Sequence, residues 1–239
     1  MREPIRLDKR VVELFNCSRG SAIKYIQGGW VLVDGEVQER PQLKVQEQKI
    51  ELHEDATLEP ILPVTILLNL PEDFGNDDST LIPQLITSES HNVYDYSGIH
   101  MLNNHFFDLK PASPRQNEAS GLMVYSKDWK VLRVLNENNK KKEEEYIVEF
   151  SEEFTAEQLK QLNELALSNN ESLPKFKASK QNEKRMRFVI KYTQPDQIES
   201  LCKSVDLTVV ALKRIRIGRI SMKNLPPGQW RYLPRKAMF

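Results

Sequence analysis

The sequence predicts an α+β protein in two parts. A small helix–helix–sheet domain comes first, and a mixed, largely antiparallel β domain with short helices follows it. Three observations predict this. The first thirty residues hold two apolar patterns at helical spacing. An Asp34-Gly35 dipeptide then separates two short apolar runs. Beyond residue 64, period-two runs alternate irregularly with short helical ones. The expected boundaries are residues 1–56 for the first domain, 57–64 for a linker and 65–239 for the second.

Leu7, Val11, Leu14 and Phe15 lie on one face of the first helix. Asn16-Cys17-Ser18 interrupts, and Ser18 is a suitable N-cap for a second helix over residues 19–27, whose apolar face is Ala22, Ile23 and Ile26. Gly28-Gly29 ends it. Val31, Leu32 and Val33 lead into Asp34-Gly35, a strong hairpin signal, and Val37 and residues 49–53 supply the remaining strands. Arg6, Lys9, Arg10, Arg19 and Lys24 stud the two helices. A hydroxyl, a guanidinium and a helix N-terminus at Ser18 and Arg19 suit a phosphate, although a solvated helix pair carries the same charges.

Residues 54–64, with Pro60 and Pro63, read as a linker. Residues 65–70 form the first strand of the second domain, and residues 71–80, PEDFGNDDST, an acidic loop. A proline-bearing loop, SPRQNEAS, feeds an apolar strand at residues 122–125. Trp129, Leu132, Val134 and Leu135 predict a helix. The run KKKEEE at 140–145 reads as an exposed turn, and residues 145–150 alternate as a strand. Thr155 caps a helix reaching residue 167. Residues 169–184 read as polar and irregular, 186–192 as a strand, residues from Pro195 as a short amphipathic helix, and 207–220 as one or two strands.

Net charge is zero, but the sum hides a gradient. Residues 54–123 carry two Lys/Arg against eleven Asp/Glu, and residues 175–239 carry sixteen against four. Such asymmetry suits a polyanion partner, or acidic and basic segments that face each other in the fold. No apolar run approaches the roughly 20 residues of a membrane helix, and MREPIRLDKR lacks a signal-peptide core. Cys17 and Cys202 are far apart and read as free thiols suited to a reducing cytoplasm.

The stretch RLDKRVVELFNCSRGSAIKYIQGGWVLVDGEV resembles the alpha-L RNA-binding module, first named from a small-subunit ribosomal protein. Arg6-Leu7-Asp8, Ser18-Arg19, Ala22, Ile26, Gly29, Val31, Val33 and Gly35 carry the match. The resemblance implies binding of structured RNA through the two-helix face. The rest of the chain resembles the rRNA pseudouridine synthases that bear this module. ILLNLPEDF at 66–74 is similar to their opening strand, which usually ends N-K-P-x-G. GLMVYSKD at 121–128 is similar to G-L-L-L-L-T-N-D. LKRIRIGRISMKNLPPGQWRYL at 212–233 is similar to their closing segment, and EEYIVEF at 144–150 to the strand bearing a base-stacking tyrosine, here Tyr146. That family uses one aspartate, paired with an arginine, on a nucleotide withdrawn from the stack.

The chain departs from the family where the chemistry should be. Aligning G-R-L-D-x-x-T-x-G-L on Gly121-Leu122 puts Gln116 at the aspartate, and a one-residue shift puts Asn117 there. An amide is neither a comparable nucleophile nor a base. Leu70 replaces the lysine of N-K-P, Glu144 that of K-x-Y, and Asp196, Glu199 and Ser200 fall on the three arginines of R-Q-I-R-R. The implied function is RNA binding by a catalytically silent member acting on ribosomal RNA or ribosome assembly. The alternative is an active isomerase with a displaced carboxylate, for which Asp108 and Glu118 are nearest in sequence. A third reading gives residues 71–78 a protein-interaction role. Expected RNA contacts are Arg6, Lys9, Arg10, Ser18, Arg19 and Lys24 with Lys213, Arg214, Arg216 and Arg219. No metal, cofactor or membrane partner is expected, His53, His91, His100 and His105 read as structural, and the expected form is a monomer.

Overall fold

The computed structural model describes residues 3–72, 74, 82–113, 116, 119–136, 142–167, 174–191 and 194–239. They form two compact units, one of Met1–Pro63 with His100–Phe107 and one of Val64–Ile99 with Asp108–Phe239.

The first unit runs β1 (Ile5–Arg6), α1 (Leu7–Phe15), α2 (Arg19–Gln27), β2 (Val31–Val33), β3 (Glu36–Val37), β4 (Lys44–Val45) and β5 (Ile50–Leu52). Asn16 ends α1 in the left-handed conformation, and the Ser18 hydroxyl caps α2 by accepting from the Ser21 N–H at 3.0 Å. Asp34 and Gly35 take φ of 53° and 85°, the paired positive values of a two-residue hairpin turn joining β2 to β3. Leu7, Val11, Ala22, Ile26, Val31, Val33 and Val45 close its core. The segment His100–Phe107, expected in the second domain, packs here: Glu39 accepts from the Asn103 N–H at 2.8 Å, and His100 stacks on Trp30.

The second unit contributes β6 (Thr65–Leu70), β7 (Lys110–Pro111), β8 (Ser120–Ser126), α3 (Trp129–Asn136), β9 (Glu143–Phe150), α4 (Ala156–Leu167), β10 (Phe176–Lys180), β11 (Arg185–Lys191), α5 (Gln197–Lys203), β12 (Val209–Ile217), β13 (Ile220–Ser221) and β14 (Trp230–Tyr232). One sheet runs β10-β11-β9-β12-β8-β6-β14, with β13 on β12 and β7 on β8. Every pairing is antiparallel except β12 with β8. Strands β6 and β8 are buried along their whole length, as central strands covered on both faces are. Thr155 and Gln158 exchange bonds across the start of α4, a reciprocal capping pair.

Two expectations are corrected. Residues 143–145 lie in β9 rather than in an exposed turn, and residues 137–141 lie outside the described ones. Within the stretch expected to be irregular, Phe176–Lys180 forms a strand, because Phe176 and Ala178 alternate inward and pair along β11.

Candidate functional site

In the first unit, Asp8 organises the basic surface. Its buried carboxylate accepts from Arg6 Nε and Nη2 at 3.0 and 3.1 Å and from Arg19 Nε at 3.1 Å. Burial alone pushes this carboxyl up, but the bonds and charges of the two arginines outweigh it and hold Asp8 below the usual range. Two guanidiniums, one from the residue before α1 and one from the start of α2, are thereby set side by side, and the terminal nitrogens of Arg19 keep no partner among the described residues. Asp8 was visible in the R-L-D match but was not counted as a site residue; its role needs the contact across eleven residues. Lys9 and Lys24 are exposed with no ion pair among the described residues, whereas Arg10 is bonded to Glu13 at 3.0 Å. Ser18 spends its hydroxyl on the helix cap.

The C-terminal basic residues lie otherwise than expected. Arg214 is 1% exposed, so it cannot meet a phosphate at the surface. Arg214 lies two residues from Leu212 and so shares its inward face, opposite Tyr146, whereas the register shift that follows sets Arg216 opposite Glu145 on the other face. Its Nε donates to the Leu122 carbonyl at 2.8 Å, and its Nη1 lies 3.6 Å from Glu144 Oε1. Arg216 is clamped by Glu145 at 2.5 Å and Glu143 at 3.7 Å, and Lys213 lies 3.4 Å from Glu72. Only Arg219, of the four, is exposed with no partner among the described residues. The basic C-terminal segment therefore faces the glutamates of β9, and much of its charge is met inside the fold.

Tyr146 is completely buried, and its hydroxyl donates to Glu144 Oε2 at 2.6 Å. No face of the ring is open to an incoming base, contrary to the stacking role expected of it. Burial works against the charge on Arg214, but Tyr146 and Glu144 beside it outweigh that and hold the guanidinium above its usual pKa. A carboxylate with an arginine partner thus touches Tyr146, supplied by β9 and β12 and sealed in the core.

Gln116 is 2% exposed. Its Oε1 accepts from the Gln197 N–H at 3.1 Å and the Ile198 N–H at 3.4 Å, and its Nε2 donates to the Gln194 carbonyl. These are the first amides of α5, and its own N-cap residue, Asp196, sits at φ 61° without a side-chain cap. Gln116, the side chain that an ungapped alignment puts at the family's aspartate, is thus a helix cap. Gly121 downstream takes φ 86°, and a Cβ there would fall 2.3 Å from the Arg214 carbonyl oxygen, which accounts for glycine at that motif position. Asn117 and Glu118 lie outside the described residues, and Asp108 is exposed in a left-handed turn.

Beside this cap is a cavity of about 220 Å³ lined by Glu72, Ser120, Glu199 and residues 209–212 of β12. Its two charged lining residues are carboxylates, which disfavours an RNA phosphate. Cys202, buried on α5, has its thiol pushed up to about 12 by burial with Glu199 nearby, so it is no nucleophile near neutral pH. Among the described residues no group of acidic, histidine or cysteine side chains could hold a metal ion, and no helix is long and apolar enough to cross a membrane.

Residues 5–49 match the S4 domain. Across 98% of its length the chain is 28% identical to an uncharacterized RNA pseudouridine synthase of Aquifex aeolicus, covering 94% of that protein. It is 26% identical over 96% of its length to the dual-specificity RNA pseudouridine synthase RluF of Escherichia coli K12, covering 75% of that protein. In three dimensions it is similar to the crystal structure of a pseudouridylate synthase, with a TM-score of 0.55, 21% identity and 97% of this chain aligned to 96% of the other.

Proposed function

We propose that the chain, which matches the S4 domain and is similar over nearly its whole length to RNA pseudouridine synthases, binds structured ribosomal RNA without isomerising uridine. The observation that carries the reading is Gln116. Where the family motif has its aspartate stands a buried amide with both ends committed to the N-terminus of α5. An amide so held cannot attack a nucleotide or take a proton from one. The enclosed Tyr146 and the carboxylates of the neighbouring cavity support the same reading. RNA contact then rests on the surface ordered by Asp8, with Arg6, Arg19, Lys9 and Lys24 meeting phosphates.

One observation favours a second reading, an active isomerase with a displaced carboxylate. Glu144 touches the Tyr146 hydroxyl and pairs with Arg214, the combination of groups the reaction needs, although all three are sealed from solvent. The deciding experiment incubates the full chain with ribosomal RNA transcribed without modification and maps pseudouridine by chemical adduct and reverse transcription. Salt-dependent binding with no new pseudouridine is expected. Pseudouridine formed by the wild type and lost in Glu144→Gln, with Tyr146→Phe as the milder variant should the first not fold, establishes the second reading instead.

A further inference from the structure

We infer that the loop at residues 91–98, with the β13–β14 connection beside it, is a second RNA contact that holds an unpaired nucleotide. The inference rests on the RNA-binding reading and assigns a surface that neither the S4 domain nor the family motif accounts for.

The loop is rigidly built. Asp95 Oδ2 bonds to His91 Nε2 at 2.9 Å and accepts from the Tyr232 N–H at 2.8 Å, and its Oδ1 accepts from the Ser97 N–H at 2.8 Å. Asn92 Oδ1 accepts from the Tyr94 N–H at 2.9 Å, its Nδ2 donates to Gln229 Oε1 at 2.7 Å, and its backbone N–H donates to the Trp230 carbonyl at 2.8 Å. The loop is therefore fastened to β14 at the edge of the sheet. Yet it presents Tyr94 and Tyr96 to solvent, 84% and 59% exposed. Rigid backbone carrying exposed aromatic rings is what a stacking platform requires, since no ordering cost is left for the moment of binding.

The charges beside the rings fit the rest of a nucleotide. A cavity of about 360 Å³ is lined by Asn92, Tyr94, Tyr96, Lys223, Asn224 and Arg231 with apolar neighbours. That volume is in the range of small-ligand sites, about 300–1,000 Å³. Lys223 Nζ lies 3.2 Å from the Tyr96 hydroxyl and 5.0 Å from its ring centre. The Arg231 guanidinium lies 5.3 Å from the same ring centre, is 5% exposed, and among the described residues bonds only to the main-chain carbonyls of Ser221 and Tyr232. Neither cation is paired with a carboxylate among the described residues. A nearly buried arginine without a counter-charge calls for an anion. A phosphate at Lys223 and Arg231 with its base on Tyr94 supplies both the charge and the ring.

The test uses the full chain and a fluorescent twelve-nucleotide oligouridine, read by anisotropy at low salt, with a structured ribosomal RNA hairpin in parallel. Tyr94 is 84% exposed and makes no ring contact among the described residues, so its replacement is expected to leave the fold intact. Tyr94→Ala is expected to weaken oligouridine about tenfold and the hairpin much less, while Tyr94→Phe, which keeps the ring, stays within about twofold. Lys223→Gln is expected to lower the slope of log affinity against log salt by roughly one contact. Oligouridine binding that survives Tyr94→Ala but disappears in a Lys9→Gln, Lys24→Gln variant overturns the inference and leaves RNA binding by the first unit standing. Competition by polyglutamate equal to that by unlabelled oligouridine assigns the surface to an acidic protein and overturns it too. Binding of neither RNA by the wild type removes both readings.

Discussion

At the scale of single residues, Gln116, which an ungapped alignment puts at the family's aspartate, serves as a helix cap. Its amide accepts two N–H bonds at the start of α5 and donates one to Gln194. An aspartate can accept but cannot donate, and its shorter side chain would turn a carboxylate toward the Gln194 carbonyl. Gln116→Asp is therefore expected to lower stability by about 1–3 kcal/mol in urea melts, the cost of a buried polar group left without its partner. It is also expected to form no pseudouridine on unmodified ribosomal RNA. Turnover by that variant would mean that the amide alone had silenced the site, and that the enclosed Tyr146 and the acidic cavity play no part. Motif spacing counts back from Gly121 to residue 116, or to Asn117 with a one-residue shift, without any structure. What Gln116 does was not legible, since its partners lie about eighty residues away. Arg214 was misread for a related reason. A basic run looks like surface, yet Arg214 alternates inward with Leu212, and the bulge that takes Arg216 to the other face leaves no mark on the local pattern.

Strand β9 carries the lesson at the scale of elements. Successive side chains on a strand point to opposite faces. Glu144 therefore goes with Tyr146 into the core, while Glu143 and Glu145 go to the other face, where Lys191, Arg187 and Arg216 meet them from the two neighbouring strands. Read along the chain, EEE is a solvated charge run; read across the sheet, it is half of a charge ladder. Burial raises the Glu145 pKa, but bonds and charges from Arg216 and Arg187 outweigh that and hold it below its usual value of 4.5. A depressed folded pKa gives stability that is present above the unfolded value and lost as pH falls through the folded one. Glu145→Gln should thus cost about 2 kcal/mol at pH 7, a charge-assisted pair, and less below pH 4.5. Urea melts at pH 7 and pH 3.5 check it; equal losses at both remove the ladder as a source of stability. The helices and central strands were legible from period and capping alone, as the boundaries of α2 and β6 show. Strand β10 was not, because two inward residues are too few to declare a period.

For the whole molecule, the charge gradient along the chain poses one question, whether sixteen basic residues after residue 174 form a binding surface. Arg185, Arg187, Lys191 and Arg216 are paired with β9, Lys213 with Glu72 and Arg214 with Glu144. A cation already neutralised by a carboxylate releases few counterions from RNA, so these residues add little to the salt dependence of binding. Lys9 and Lys24, exposed and unpaired among the described residues, carry their full charge to a phosphate. With a structured ribosomal RNA hairpin, Lys9→Gln with Lys24→Gln should reduce the slope of log affinity against log salt by about two contacts, each worth roughly 0.9 on a duplex. Lys213→Gln with Lys191→Gln, two charges likewise removed, should leave it nearly unchanged. Anisotropy titrations between 50 and 200 mM salt, about tenfold to a thousandfold in affinity for several contacts, resolve the two cases. A slope that falls equally in both variants would show that total charge, rather than unpaired charge at the S4 surface, governs the encounter with RNA.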